Sequence, residues 1–249
     1  MSRTAYFLRR MARQCLSEDQ RHWLNRQRRR LEAPVLAVRA RRRSDLEALA
    51  RRYGTDKSSL GHGYTRVYAH HFASRRGDVR ALVEIGVGGL TSAEGYESRA
   101  GGQSLRMWRD YFPKATIVGV DIYAKDVSGD RIVFEQGDQA DPCFLARLVT
   151  RHGPFDIVID DGSHKASDTA ATFAALWDAV KPGGFYVIED LAVAYHTGWD
   201  GGPPGTPGTA ADLIKQRVDH TLKRYEDPFR PSTSAVHVYG EIVFFEKAH

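Results

Sequence analysis

Cysteine is scarce in this 249-residue chain: Cys15 and Cys143 are the only two. They stand far apart and lack metal-ligand spacing, so neither a thiolate metal site nor a disulfide scaffold is expected. No run of about 18 apolar residues occurs, which excludes a membrane-spanning helix. The first twenty residues are basic, but they lack a continuous apolar stretch and a cleavage site and do not read as a signal peptide. A cytoplasmic protein is expected. No internal repeat is evident. What remains is ordinary: 42% hydrophobic and 27% charged residues, enough for one sizeable core.

Acidic charge is scarce at one end. Residues 1–52 carry 15 Lys/Arg against 5 Asp/Glu, while the whole chain is only +5, so the remainder is net acidic. The excess is mostly arginine, as in RQRRR at 26–30 and RARRR at 39–43. One reading is a footprint for nucleic acid or another anionic partner. The plainer one is a solvated helical face, an oligomer contact or a coding bias. The plainer reading is preferred, because no aromatics interleave with the arginines for base stacking.

From Arg80 onward, apolar runs alternate with helix-like stretches. ALVEIGV (81–87), TIVGVDI (116–122), RIVFEQG (131–137), FDIVIDD (155–161) and GFYVIED (184–190) are short, β-branched and bounded by Gly, Pro or Asp. Their near-continuous apolar character suits parallel strands buried on both faces. Between them, SLRMWRDYF, PCFLARLVTRHG and TAATFAALWDAVKPGG have helical spacing, the last ending in a Pro-Gly-Gly stop. The alternation predicts a doubly wound α/β sheet. AVHVYGEIVFFEK (235–247) reads as an antiparallel hairpin closing one sheet edge. Residues 1–52 are expected to be an Arg-rich helical extension, and 53–249 the main domain. GWDGGPPGTPGTA (198–210) reads as a loop, either a lid or an insert.

Chemistry concentrates where the strands end. VEIGVGG places Glu84, Gly86 and Gly88 at the first strand's carboxyl end, where open α/β sheets bind ligands. Two glycines stand here instead of the three of a dinucleotide fingerprint, and an acidic residue precedes them. Asp121, at the second strand's end, suits two ribose hydroxyls; alone it also fits a nicotinamide dinucleotide. QGD at the third strand's end offers Gln136 and Asp138, the latter suited to an adenine amino group. The fourth strand ends in Asp160 and Asp161. Ser104, in QSLRMW, reads as a helix N-cap, a cofactor contact, or both. Trp108 and Trp177 read as core.

The pattern Glu84-x-Gly86-x-Gly88, Asp121, Asp138 resembles the Rossmann-like S-adenosylmethionine-dependent methyltransferases over roughly residues 53–247. That resemblance implies an antiparallel seventh strand, Asp121 on the cofactor's ribose, and the glycine turn under its methionine portion.

DIVIDDGSHKASD (156–168) and GFYVIED add a second centre. If these two strands are neighbours, their ends lie about 5 Å apart. Asp161, Glu189 and Asp190 then converge. Carboxylates so close repel unless a cation neutralises them, and hard oxygen donors favour Mg²⁺, with Mn²⁺ or Ca²⁺ possible. Taken singly, each acid also reads as a helix cap or an arginine partner. His164, just beyond, suits a general base, since imidazole titrates near neutrality; it also reads as a solvent-facing histidine at a helix start. Tyr195, His196 and Trp199 suit a wall on which a sugar stacks, or ordinary loop packing.

DDGSH followed by IED, with YGTDK and HGYT upstream, resembles the metal-dependent sugar O-methyltransferases of the macrocin and mycinamicin type and those of actinobacterial polysaccharides. The resemblance implies that Asp161, Glu189 and Asp190 hold Mg²⁺ and that His164 is the base. It also implies that Tyr53, Thr55, Lys57, His62 and Tyr64 close over cofactor or substrate. Residues 1–52 do not resemble the larger auxiliary domain of the macrolide enzymes. The function expected is methyl transfer from S-adenosylmethionine to a sugar hydroxyl of a glycoside or oligosaccharide, by a homo-oligomer that binds no nucleic acid. A catechol-like O-methyltransferase on vicinal phenolic hydroxyls is the alternative. A methyltransferase-like nucleic-acid-binding protein is a more distant one.

Overall fold

The computed structural model describes residues 45–88, 99–127, 129–222 and 232–249. The arginine runs at 26–30 and 39–43 lie outside the described residues. The chain divides into two compact units, Met1–His70 and His71–His249.

The described part of the first unit starts with α1 (Leu46–Tyr53). Asp45 caps it by accepting the Ala48 N–H, and Gly54, at φ +78°, ends it in the left-handed conformation that favours glycine. Glu47 then ties the following loop back to the helix. Its carboxylate accepts the hydroxyls of Ser59 and Thr65, each at 2.6 Å. Helix α2 (Thr65–Phe72) follows.

The second unit is built on seven strands: β1 (Ala81–Ile85), β2 (Thr116–Asp121), β3 (Ile132–Gln136), β4 (Phe155–Asp160), β5 (Val180–Ile188), β6 (Thr233–Val238) and β7 (Val243–Lys247). Their order is β3-β2-β1-β4-β5-β7-β6. The first five pair in parallel, and β7 runs antiparallel to both β5 and β6. This is the doubly wound sheet with a C-terminal hairpin at one edge that the sequence predicts. The helices are α3 (Gln103–Tyr111), α4 (Pro142–His152), α5 (Ala166–Leu176) and α6 (Ala210–Leu222). Asp141 caps α4 by accepting the Cys143 N–H, with Pro142 in the first turn.

Side-chain alternation sorts the sheet into two faces. Val83, Ile85, Val118, Val120, Val158, Tyr186 and Ile188 meet Phe144, Leu145 and Leu148 of α4 and Phe173 and Leu176 of α5. On the other face, Phe72, Trp108, Phe112, Phe185 and Phe244 form a network of ring contacts. Trp108 and Trp177 are both buried, as expected of core residues.

Two local expectations are corrected. The Pro-Gly-Gly at 182–184 is not a turn before β5 but an irregularity inside it. Helix α5 ends at Leu176, and β5 begins at Val180 opposite Phe155, then resumes pairing at Phe185 opposite Ile157. A bulge absorbs the extra residues there, with Gly183 at φ +71°. Ser104 is not an N-cap: Gly102 holds that position, and Ser104 lies within α3.

Candidate active site

The strand order reverses between β1 and β4, which is where open α/β sheets leave a crevice at their carboxyl ends. Register decides what enters it. Glu84 pairs with Ile159, and Ile159 with Val187. The ladders run one step past the strands, with Asp161 N–H donating to Ile85 O at 2.9 Å and Glu189 N–H to Asp160 O at 3.0 Å. Two residues beyond Ile159 and Val187, Asp161 and Glu189 therefore face the same side of the sheet as Glu84. One carboxylate oxygen from each of these three lies within 4.8 Å of the others. A second group of the same tightness joins Asp161, His164 and Asp190. Nε2 of His164 is 3.7 Å from Oδ2 of Asp190.

The structure divides the expected set between these two groups, with Glu189 in the first, His164 and Asp190 in the second, and Asp161 in both. The sequence does not anticipate Glu84 beside Asp161 and Glu189. Glu84 is fully buried and accepts the Ser104 hydroxyl at 2.8 Å. Its even spacing from Gly86 was the available signal, but using it requires knowing that β1 neighbours β4.

The backbone here is unusual. His164 and Asp190 have φ +59° and +56°, in a region that costs a non-glycine residue about 1–2 kcal/mol. Both belong to the second of these donor groups, and strained backbone of this kind gathers at functional sites. Gly86, at φ +86°, lies flat against Asp161: a Cβ there would overlap the Asp161 carbonyl oxygen. Gly88 is also left-handed, at φ +72°.

Asp160 faces the other way. It sits on the side of Val158 and Tyr186, accepting the Tyr186 hydroxyl at 3.1 Å and the Gln139 amide at 3.3 Å. Burial raises its pKa to about 7, against those hydrogen bonds and one from the Gly162 backbone. The structure does not bring Asp160 together with the carboxylate cluster.

The other predicted cofactor contacts line neighbouring strand ends. Asp121 is fixed by the N–H groups of Val87 at 3.1 Å and Tyr123 at 2.9 Å, with Lys125 Nζ 3.8 Å away. Lys125, which the sequence did not single out, is buried. Gln136 donates to Ile122 O, and Asp138 accepts the Ala140 N–H. Ile122 and Tyr123, beside Asp121, are exposed apolar side chains. Tyr195 and Trp199 are likewise exposed on the short turns after Asp190, with His196 edge-on to Trp199 at 6.3 Å.

In the first unit, Tyr53 ends α1, Thr55 donates to Asp56, and Lys57 is buried. His62 stacks on the buried Tyr64, with ring centroids 5.2 Å apart.

Either group fits a divalent metal ion: each offers hard carboxylate oxygens close enough to share one, and Asp161 belongs to both.

Comparison with known proteins points the same way. The chain is 42% identical over 225 residues to mycinamicin VI 2''-O-methyltransferase of Micromonospora griseorubida, covering 86% of this chain and 55% of that one. It is 42% identical over 219 residues to the tetracenomycin 3'-O-methyltransferase of Streptomyces olivaceus, which acts on 8-demethyl-8-(2-methoxy-alpha-L-rhamnosyl)-tetracenomycin-C; that match covers 83% and 54%. It is 40% identical over 227 residues to demethylmacrocin O-methyltransferase of Streptomyces fradiae, covering 86% and 56%. The chain is a homologue of the sugar O-methyltransferases. Among solved structures, the MycE methyltransferase of the mycinamycin pathway, in complex with Mg, SAH and mycinamycin VI, superposes with a TM-score of 0.75. That match is at 42% identity and covers 82% of this chain and 54% of MycE. No family model matches the sequence. The chain spans about half the length of the curated relatives it matches.

Proposed function

We propose that this protein is an S-adenosylmethionine- and Mg²⁺-dependent O-methyltransferase acting on a hydroxyl of a deoxysugar carried by a natural product. The observation that carries the reading is a pair of donor groups that share Asp161: Asp161 with His164 and Asp190, and Asp161 with Glu84 and Glu189. The homologues' acceptors, glycosylated natural products, supply the substrate class. Asp161, Glu189 and Asp190 would hold the metal ion. Asp121 would grip the ribose, with Gln136 and Asp138 near the adenine and the turn at Gly86 and Gly88 under the methionine portion. When bound, the methyl donor offers an electrophilic carbon, and a divalent cation offers charge that acidifies and aligns a hydroxyl.

The remaining work falls to the chain. The acceptor oxygen forms its bond to the methyl group as the carbon–sulfur bond breaks, and the hydroxyl proton must leave. Nε2 of His164 takes it, and the Asp190 carboxylate, 3.7 Å away, stabilises the imidazolium formed. An alcohol is less acidic than a phenol and gains more from a positioned base. Tyr195, His196 and Trp199 offer aromatic surface to the sugar. The protein works in the cytoplasm as a homo-oligomer. No helix among the described residues is long and apolar enough to cross a membrane.

The test is incubation with S-adenosylmethionine, Mg²⁺ and a panel of rhamnosyl and related glycosides, with catechols as controls. A single sugar methyl ether that disappears with chelator and returns with Mg²⁺ is expected. Turnover of catechols alone would replace the sugar reading.

A further inference from the structure

Gln139 lies in the loop between β3 and α4, a region otherwise concerned with the predicted adenine contacts, yet its side chain turns inward and is buried. Its Oε1 accepts the Ser163 N–H at 2.7 Å. Its Nε2 donates to Thr172 Oγ1 at 3.0 Å and to Asp160 Oδ1 at 3.3 Å. A peptide N–H can only donate and a carboxylate normally accepts, so the network fixes which way this amide points.

The fit around it is tight. A Cβ on Gly162 would overlap Oε1 of Gln139 and stand 2.8 Å from its Cδ. The peptide joining Gly162 to Ser163 therefore rests directly on the amide. Ser163 is also held from another side: its hydroxyl donates to Asp168 Oδ2 at 2.7 Å and accepts the Lys165 N–H at 3.2 Å. His164 sits between these anchors at φ +59°. A left-handed histidine persists only where its surroundings over-determine it. Gln139 reaches this turn from a distant part of the chain, 24 residues earlier.

We infer that Gln139 is a positioning residue: its buried amide holds the turn at 162–163 and thereby fixes where the His164 imidazole stands relative to Asp190. The catalytic consequence rests on the reading of His164 as base; the structural grip does not.

The experiment uses the whole chain with S-adenosylhomocysteine bound, and the variants Gln139→Met, Gly162→Ala, His164→Ala and Gln139→Met/His164→Ala. Gly162→Ala pushes the same amide away from the opposite side, so the two perturbations check each other if one folds poorly. Amide hydrogen exchange is read at Ser163 and His164, with Ile157 and Ile159 of β4 as references. Losing the bond should cut protection at 163 and 164 by about tenfold or more and leave β4 unchanged. Unchanged protection at Ser163 overturns the inference. Turnover is then read with a rhamnosyl glycoside bearing free vicinal hydroxyls. Gln139→Met should lower kcat by about tenfold or more, with cofactor affinity within about twofold, and should cost nothing further in the His164→Ala background. Additive losses, or cofactor affinity falling in step with kcat, overturn it. If His164→Ala alone turns over normally, the base reading fails, and the exchange data identify that failure separately.

Discussion

Gly86→Ala strikes the site through the backbone alone, and Gly88→Ala is its internal control. Both glycines are left-handed, at φ +86° and +72°, so alanine at either should cost about 1–2 kcal/mol in backbone strain. Among the described residues, the new methyl group meets an obstacle at Gly86 and none at Gly88. At Gly86 it would overlap the Asp161 carbonyl oxygen and stand 2.6 Å from the carbonyl carbon and 2.9 Å from Gly162 Cα; at Gly88 no described residue lies within 4 Å. These obstacles are backbone atoms and cannot rotate away, so the strand ends must part by something near an ångström. Overpacking of that kind adds about 1–3 kcal/mol. Gly86→Ala should thus be less stable than Gly88→Ala by about 1–3 kcal/mol, seen as a lower urea midpoint at unchanged m-value. The displaced residue is Asp161 itself. Mg²⁺ affinity, measured calorimetrically with S-adenosylhomocysteine bound, should therefore fall in Gly86→Ala and hold in Gly88→Ala. Equal stability and equal metal affinity in the two variants would refute the close packing of the β1 turn on Asp161.

Asp161→Ala should lose Mg²⁺ binding by more than the about 10- to 100-fold that supporting residues cost, while S-adenosylhomocysteine still binds in calorimetry; retained metal affinity would remove Asp161 as a ligand. Asp121→Asn should weaken S-adenosylhomocysteine by about 10- to 100-fold, as expected when a charged hydrogen-bond acceptor is lost, and an unchanged titration would dissociate this carboxylate from the ribose. Glu135 has a pH signature. The His152 imidazole at 2.8 Å holds its carboxyl below the ordinary value of 4.5, burial opposes this, and Arg151 adds to the lowering. Because the folded pKa is the lower one, the stabilisation is complete above the unfolded value and is lost as pH falls through the folded one. The stability difference between wild type and Glu135→Gln should be at most about 1 kcal/mol near neutrality and vanish in acid; a difference that grows in acid would contradict the pairing.

The strands were legible because burial on both faces leaves β-branched runs that stop at glycine or aspartate, and both signals are local. Helix α4 was legible for the same kind of reason: Asp141 and Pro142 write its start. The bulge in β5 was not. Pro-Gly-Gly has the local signature of a turn, and only pairing of Val180 with Phe155 recruits it into the strand. The acids of DDGSH and IED announce chemistry by their residue types alone, at the ends of runs that should be buried.

Which acids meet is another matter. Alternation tells any strand which of its residues share a face, but not which strand lies beside it. Only the order β1-β4-β5 and its register bring Glu84 beside Asp161 and Glu189 and turn Asp160, one residue earlier, to the opposite side. Gln139 carries no local mark at all: a glutamine in a polar loop looks solvated until the loop over β4 closes on it. The sequence by itself determined the kinds of groups present and the strand ends that carry them. The tertiary structure decided their grouping, because neighbourhood in a sheet is set by contacts between residues far apart in the chain.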